Sequence, residues 1–194
     1  DGGDGAGRIR QDARGRGADV VVSRPPRQSP WTDNDIGFFD SNARLSPPLR
    51  SQRDRDAIRE ALNDGTIDAI CSDHTPVDDD EKLLPFGEAS PGATGLELLL
   101  SLALKWADEH LSGKDKLSIA LARITCDAAR VAGLSAGGLS IGSQADVCIF
   151  DPAIRWQVND SAIVSQGKHT PFLGYELPGQ VRYTIVSGRL AYTR

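Results

Sequence analysis

The chain has 194 residues, 39% apolar and 25% charged; that is the balance of an ordinary globular protein, and its longest apolar stretch, 96–106, is broken by Glu97 and Lys105 and is far short of a membrane span. A net charge of −5 argues against a nucleic-acid or polybasic membrane-surface role. Three widely spaced cysteines, Cys71, Cys126 and Cys148, contain no C-x-x-C pair, which argues against a zinc knuckle or a disulfide framework and fits reduced thiols in a cytoplasm.

Residues 1–31 are rich in Gly and Arg, with Val20-Val21-Val22 as their apolar run. Asp4-Gly5-Ala6-Gly7-Arg8 lacks the spacing of a dinucleotide loop, and no Gly-Lys-Ser/Thr follows it. Such a segment buries too little apolar area to offset its ordering entropy and is expected to be disordered. A sharper expectation is out-of-frame translation of GC-rich coding DNA, whose codons over-produce Gly, Arg, Ala and Asp. With no Met in the chain and no signal peptide at its start, residue 1 is not expected to be a natural beginning.

From residue 50 to 63 the pattern is helical. Ala57, Ile58, Ala61 and Leu62 share a face, Ser51 is placed to cap the helix, and Asp64-Gly65 ends it. Residues 66–72 read as a short buried strand, apolar without alternation, that runs into Asp73-His74 and stops at Pro76. A long polar loop over 74–91 follows. Its Asp78-Asp79-Asp80-Glu81 run reads as a solvated face partly neutralised by Lys82, since four adjacent carboxylates cannot converge on one ion without a folding loop. Over 95–111, Leu96, Leu99, Leu100, Ala103, Leu104 and Ala107 make a broad apolar stripe, and further helices are expected at 116–124 and 127–132. Beyond Gly133 the period changes to two. Strands are expected at 144–150, ending at Asp151-Pro152, at 181–186, and after a Ser187-Gly188 turn at 189–193.

In a β/α barrel, catalytic groups sit where a strand ends and its loop begins, and Asp73 falls at such a point. Asp73-His74-Thr75-Pro76, followed by Pro91-Gly92-Ala93-Thr94-Gly95-Leu96-Glu97, resembles the last barrel strand of the amidohydrolases, and among them most resembles the dihydroorotases. The motifs carry this resemblance over 32–194, most specifically between Asp68 and Leu104. The fold class it implies is α/β, a C-terminal fragment of an amidohydrolase-type β/α barrel followed by a small β-domain. Residues 32–132 would be the barrel part and 133–194 the β-domain segment, where 137–147 returns the chain to strands that the family also builds from its N-terminal part.

The resemblance implies hydrolysis or closure of a cyclic amide, the interconversion of carbamoyl aspartate and dihydroorotate in pyrimidine biosynthesis. Zinc in the family generates a hydroxide near neutral pH, and a carboxylate shuttles the proton. Asp73 would be both metal ligand and shuttle, and Pro91 and Gly92 would offer backbone contacts to the pyrimidine ring. The family's metal set also needs a His-x-His and two later His residues, whereas this chain has three His in all: His74, His110 and His169. His74 is expected to support Asp73 by a hydrogen bond, His110 to lie on the surface, and His169 to belong to a loop. No zinc is therefore expected to be bound by this fragment alone.

Two ring contacts differ from the family pattern. Val77 stands where relatives carry the final His of Asp-His-Ala-Pro-His, and Ser46 stands where they carry the Asn of Asn-Pro-Pro-Leu-Arg. A Ser keeps one hydrogen bond but not the amide's donor and acceptor together. The divergence resembles the non-catalytic dihydroorotase-like subunits that assemble with aspartate transcarbamoylase. Three readings follow: a dihydroorotase or a related cyclic-amide hydrolase such as an allantoinase, a structural partner of aspartate transcarbamoylase, or a truncated gene product without function of its own.

Overall fold

The computed structural model describes residues 32–194; the expectations for residues 1–31 lie outside the described residues. The described residues open with three 3-10 turns, Asp33–Asp35, Gly37–Phe39 and Ser41–Ala43. Five helices follow: α1 (Gln52–Asn63), α2 (Asp79–Lys82), α3 (Leu99–His110), α4 (Lys116–Ile124) and α5 (Cys126–Val131). The last third is a three-stranded antiparallel meander of β1 (Val147–Gln157), β2 (Glu176–Val186) and β3 (Arg189–Thr193), in that spatial order. The described architecture is thus mixed helices with a small antiparallel sheet, and no described helix is long and apolar enough to cross a membrane.

Helix α1 forms where its pattern places it. The Ser51 hydroxyl accepts from the Asp54 N–H at 3.3 Å, Ala61 and Leu62 are buried, and Gly65 takes φ +77° just past the end. The segment expected to be a strand over 66–72 is buried at Ile67, Ala69 and Ile70, but it has no ladder. A strand needs a neighbour to pair with, and among the described residues other groups meet this backbone instead. Ile70 N–H donates to the Arg123 carbonyl at 3.0 Å, and Arg123 Nη1 donates to the Asp68 carbonyl at 3.3 Å. Arg130 also pairs with the Asp68 carboxylate at 3.2 Å. Helices α4 and α5 therefore hold the segment that leads to Asp73.

Two strands differ from their expected extents. β1 does not stop at Asp151-Pro152 but runs to Gln157, with a register irregularity between Asp151 and Arg155 that leaves Pro152 out of the ladder. β2 begins at Glu176 rather than at 181 and carries Gly179 at φ +84°. The β2–β3 connection is as expected, with Ser187 and Gly188 at φ +50° and +75°, a two-residue hairpin turn of the right hand for the sheet's twist.

Three apolar clusters join these parts. Trp106 lies among Leu62, Ile67, Ile70, Leu104 and Ala120. Leu98 and Leu102 of the α3 region pack on Val158, Phe172 and Leu177 near the sheet. Ala43, Leu45 and Leu49 close on Ala93. Among the described residues, no disulfide joins Cys71, Cys126 or Cys148.

His110, expected on the surface, is half-buried at the end of α3, and its Nε2 is buried with no hydrogen-bond partner among the described residues. Burial first, then the nearby Arg59, push its imidazole below the ordinary value of 6.5. The unfolded chain therefore binds more protons between that depressed value and 6.5, so this residue's share of stability is present above 6.5 and is lost as pH falls below it. Thermal midpoints measured from pH 7.5 to 5 should fall less steeply for His110→Gln than for the unmodified chain. Parallel curves would count against this assignment.

Candidate functional site around Asp73 and Gly92

Asp73 stands where the buried 66–72 segment emerges, half-buried, with its backbone in the left-handed region at φ +46°. A non-glycine residue holds that conformation at a cost of about 1–3 kcal/mol when its surroundings over-determine it. Those surroundings are visible. Thr75 N–H donates to the Ala93 carbonyl at 3.1 Å, forming an isolated antiparallel bridge that ties the Asp73 end to the Pro91–Gly92 segment.

His74 makes contacts that its position in the sequence does not announce. Its Nδ1 accepts from the N–H groups of Gly95 and Leu96, both at 3.2 Å, where the 3-10 turn Leu96–Leu98 opens into α3. These are two of the unpaired donors at the start of a helix. A ring nitrogen that accepts a hydrogen bond holds no proton, so Nδ1 is the acceptor here and Nε2 the nitrogen that carries a hydrogen. His74 is thus a helix cap that fixes the residue after Asp73.

The substrate contacts implied by resemblance fall on two adjoining segments. Ser46 is exposed in a turn with a cis Ser46–Pro47 peptide, between the buried Leu45 and Leu49. Pro91 is exposed and Gly92 buried. Gly92 N–H donates to the Arg44 carbonyl at 3.0 Å, which draws the Ser46 turn against Pro91–Gly92. Val77 is buried, and a Cβ built on Gly92 would lie 2.9 Å from Val77 Cγ2. The side chain at the place of the family's second His therefore packs beneath Gly92.

Several organising residues escaped the sequence reading. Lys82 does not sit over the acidic run to neutralise it. Its side chain is fully buried and donates to three backbone carbonyls. The run itself is exposed, as expected, and Asp79 meets His169 Nε2 at 2.8 Å, while His169 Nδ1 lies 3.1 Å from Asn42 Oδ1. His169 is therefore a link between loops, and its carbonyl accepts from Thr94 N–H at 2.8 Å. Residues in such links carry no local periodicity, so no sequence signal marks them.

Among the described residues, no three His, Cys, Asp or Glu side chains converge as a metal-holding group. His74 and His169 are engaged by the helix start and by Asn42 and Asp79, and His110 lies at the far end of α3. The donors present around Asp73 do not make up a metal site by themselves.

A cavity of about 420 Å³ opens elsewhere, between the start of α3 and the sheet, lined by Leu100, Trp156, Val181 and Tyr192. Glu97 lies on its wall. Burial pushes the Glu97 carboxyl up, but hydrogen bonds from Ser165 and from its own backbone outweigh it and leave the group below its usual value. Asp73, Ser46, Pro91 and Gly92 do not line this cavity.

The chain is 40% identical over 190 residues to the dihydroorotase of Geobacter metallireducens, covering 98% of this chain and 44% of that protein. It is 40% identical over 188 residues to the dihydroorotase of Citrifermentans bemidjiense, with 97% and 44% covered. Among solved structures, the L-hydantoinase (dihydropyrimidinase) of Arthrobacter aurescens superposes with a TM-score of 0.81 at 29% identity, over 98% of this chain and 43% of its own. The chain thus spans less than half the length of the curated relatives it matches. Its match to the amidohydrolase family covers residues 9–192 and begins upstream of Thr32, so the family likeness reaches into residues 1–31. The chain belongs to the amidohydrolase family.

Proposed function

We propose that this chain is the C-terminal part of a dihydroorotase-type cyclic-amide hydrolase, with 32–132 belonging to its barrel and 133–194 to its small β-domain. The observation that carries this reading is the placement of Asp73. It stands at the end of a buried segment in a left-handed conformation, bridged through Thr75 and Ala93 to Gly92 and thence to the Ser46 turn. In this reading Asp73 is the proton shuttle and a ligand of the family's zinc, Ser46 holds the ring by one hydrogen bond, and the Pro91 and Gly92 backbone lies along it. The zinc would supply hydroxide. The described residues do not complete its ligand set, so no step through the metal is assigned to this chain.

A second reading, a dihydroorotase-like structural subunit that assembles with aspartate transcarbamoylase, is favoured by Val77. A buried Val beneath Gly92 offers no hydrogen bond to a ring, and a lost polar contact of this kind costs on the order of 1–3 kcal/mol.

Metal analysis and turnover assays separate these. The 194-residue chain should bind no stoichiometric zinc and should not interconvert carbamoyl aspartate and dihydroorotate. One or more tightly held zinc ions per chain would contradict that expectation. In a longer protein containing this chain, turnover abolished by Asp73→Ala would support the enzyme. Absence of turnover together with co-purification of aspartate transcarbamoylase would support the assembly role.

A further inference from the structure

A lysine whose side chain is wholly buried is uncommon, because its ammonium gives up water's hydrogen bonds and must find replacements. Lys82 is 0% exposed and finds three. Its Nζ donates to the carbonyls of Arg44 at 3.0 Å, Ser90 at 3.0 Å and Gly92 at 2.8 Å. An ammonium has three N–H donors. All three are committed to backbone oxygens, so Lys82 acts through the peptides it holds and not on a bound molecule directly.

Those peptides are the ones that flank the proposed ring contacts. The Arg44 carbonyl also accepts from Gly92 N–H, so the two segments are tied both directly and through Nζ. Arg44 precedes the Leu45–Ser46 turn, whose Leu45 packs with Ala93, and Ser90 and Gly92 bracket Pro91. In a trans peptide the carbonyl and the following N–H point opposite ways. Turning the Gly92 carbonyl toward Nζ therefore sets the direction of the Ala93 N–H. An apolar side chain would fill the same space but leave three carbonyls without this donor. Buried charge is a poor stabiliser compared with good apolar packing. What the ammonium adds is the convergence of three carbonyls from two segments on one point.

We propose that Lys82 is a positioning residue whose ammonium sets the spacing and orientation of the Ser46 turn relative to the Pro91–Gly92 backbone, for a cyclic-amide ring bound along them. This rests on the dihydroorotase-type reading of Ser46, Pro91 and Gly92, and the test keeps the two apart.

Amide hydrogen exchange by NMR on the 194-residue chain reads the geometry, and titration with dihydroorotate reads the ring contacts. In Lys82→Met, exchange at Leu45, Gly92 and Ala93 should rise at least tenfold, while amides of α3 stay within twofold. Aminoethylation of Lys82→Cys, in a background with Cys71, Cys126 and Cys148 changed to Ser, rebuilds an ammonium at that position and should return exchange to within threefold of the unmodified lysine. Dihydroorotate binding should weaken at least tenfold in Lys82→Met and recover on aminoethylation. Where Lys82→Met does not fold, Lys82→Arg is measured the same way, since its planar fork keeps the charge without the three-way convergence. Unchanged loop exchange, or an equal rise throughout α3, overturns the proposal. If loop exchange responds as expected but the unmodified chain takes up no dihydroorotate, the ring reading falls while the holding of the loops by Lys82 stands.

Discussion

Trp106→Ala should lower the stability of this chain by about 3–5 kcal/mol, the usual cost of removing a buried aromatic side chain. Trp106 is 2% exposed and shares its cluster with Leu62 of α1, Ile67 and Ile70 of the segment before Asp73, and Ala120 of α4. At roughly 2–4 °C per kcal/mol for a chain of this size, the thermal midpoint should drop by about 6–20 °C. The indole adds a second, opposing term. Its Nε1 is buried with no hydrogen-bond partner among the described residues, and an unpaired buried donor costs about 1–3 kcal/mol. Trp106→Phe keeps most of the ring volume and removes that donor, so it should recover most of the loss seen with Ala. If Phe proves as damaging as Ala, the orphan N–H is not a cost and the pocket is shaped for the whole indole. Because Ile67 and Ile70 rest on this ring, Trp106→Ala should also speed amide exchange across 67–73, well away from any proposed ring contact.

The parts of this fold that the sequence discloses are those whose cause is local. The apolar face of α1 and its Ser51 cap lie within one helix, as do the bounds of α4, and the Ser187-Gly188 turn announces itself by residue type. Asp73 is legible for the same reason, since an apolar run followed by Asp-His and then Pro marks a chain emerging from burial. What escapes depends on partners distant in the chain. The 66–72 segment has the composition of a buried strand, but a ladder requires a neighbour, and Arg123 and Arg130 meet its polar groups instead. β1 passes through Pro152 because a register irregularity takes that residue out of the hydrogen-bonding pattern. β2 begins before Pro178 and Gly179, two residues that argue against a strand on sequence. Gly179 is there because a Cβ at that position would come within 2.4 Å of Leu104 Cδ1 on α3. Lys82 looks like an ordinary counterion to four acids until three carbonyls, one of them 38 residues away, are seen to converge on it. The start of α3 meets the His74 ring, a contact that no local pattern announces.

Gly92→Ala should disrupt the candidate site more than any other single methyl group added there. At φ +147° the backbone of Gly92 lies where side-chain-bearing residues are rarely found, and holding Ala in such a region costs about 1–3 kcal/mol before any contact is counted. The contacts are severe as well. The added Cβ would lie 2.6 Å from the Thr75 carbonyl oxygen, 2.9 Å from Val77 Cγ2 and 3.1 Å from Thr75 Cγ2. The nearest of these is backbone, fixed by the bridge from Thr75 to Ala93, so relief requires moving the Asp73 end of the chain away from the Ser46 turn. That movement would also pull the Gly92 carbonyl from Lys82 Nζ and the Gly92 N–H from the Arg44 carbonyl. Gly87→Ala in the same loop is the control. Nothing lies within 4 Å of a Cβ there, and it should stay within about 0.5 kcal/mol of the unmodified chain. Thermal midpoints of the two variants, with amide exchange at Thr75 and Ala93, provide the measurement. A Gly92→Ala chain as stable as the Gly87→Ala chain, with those amides still protected, would mean that the Asp73 end and the Ser46 turn are not held together through this glycine. The placement of Asp73 beside the proposed ring contacts would then lose its physical basis.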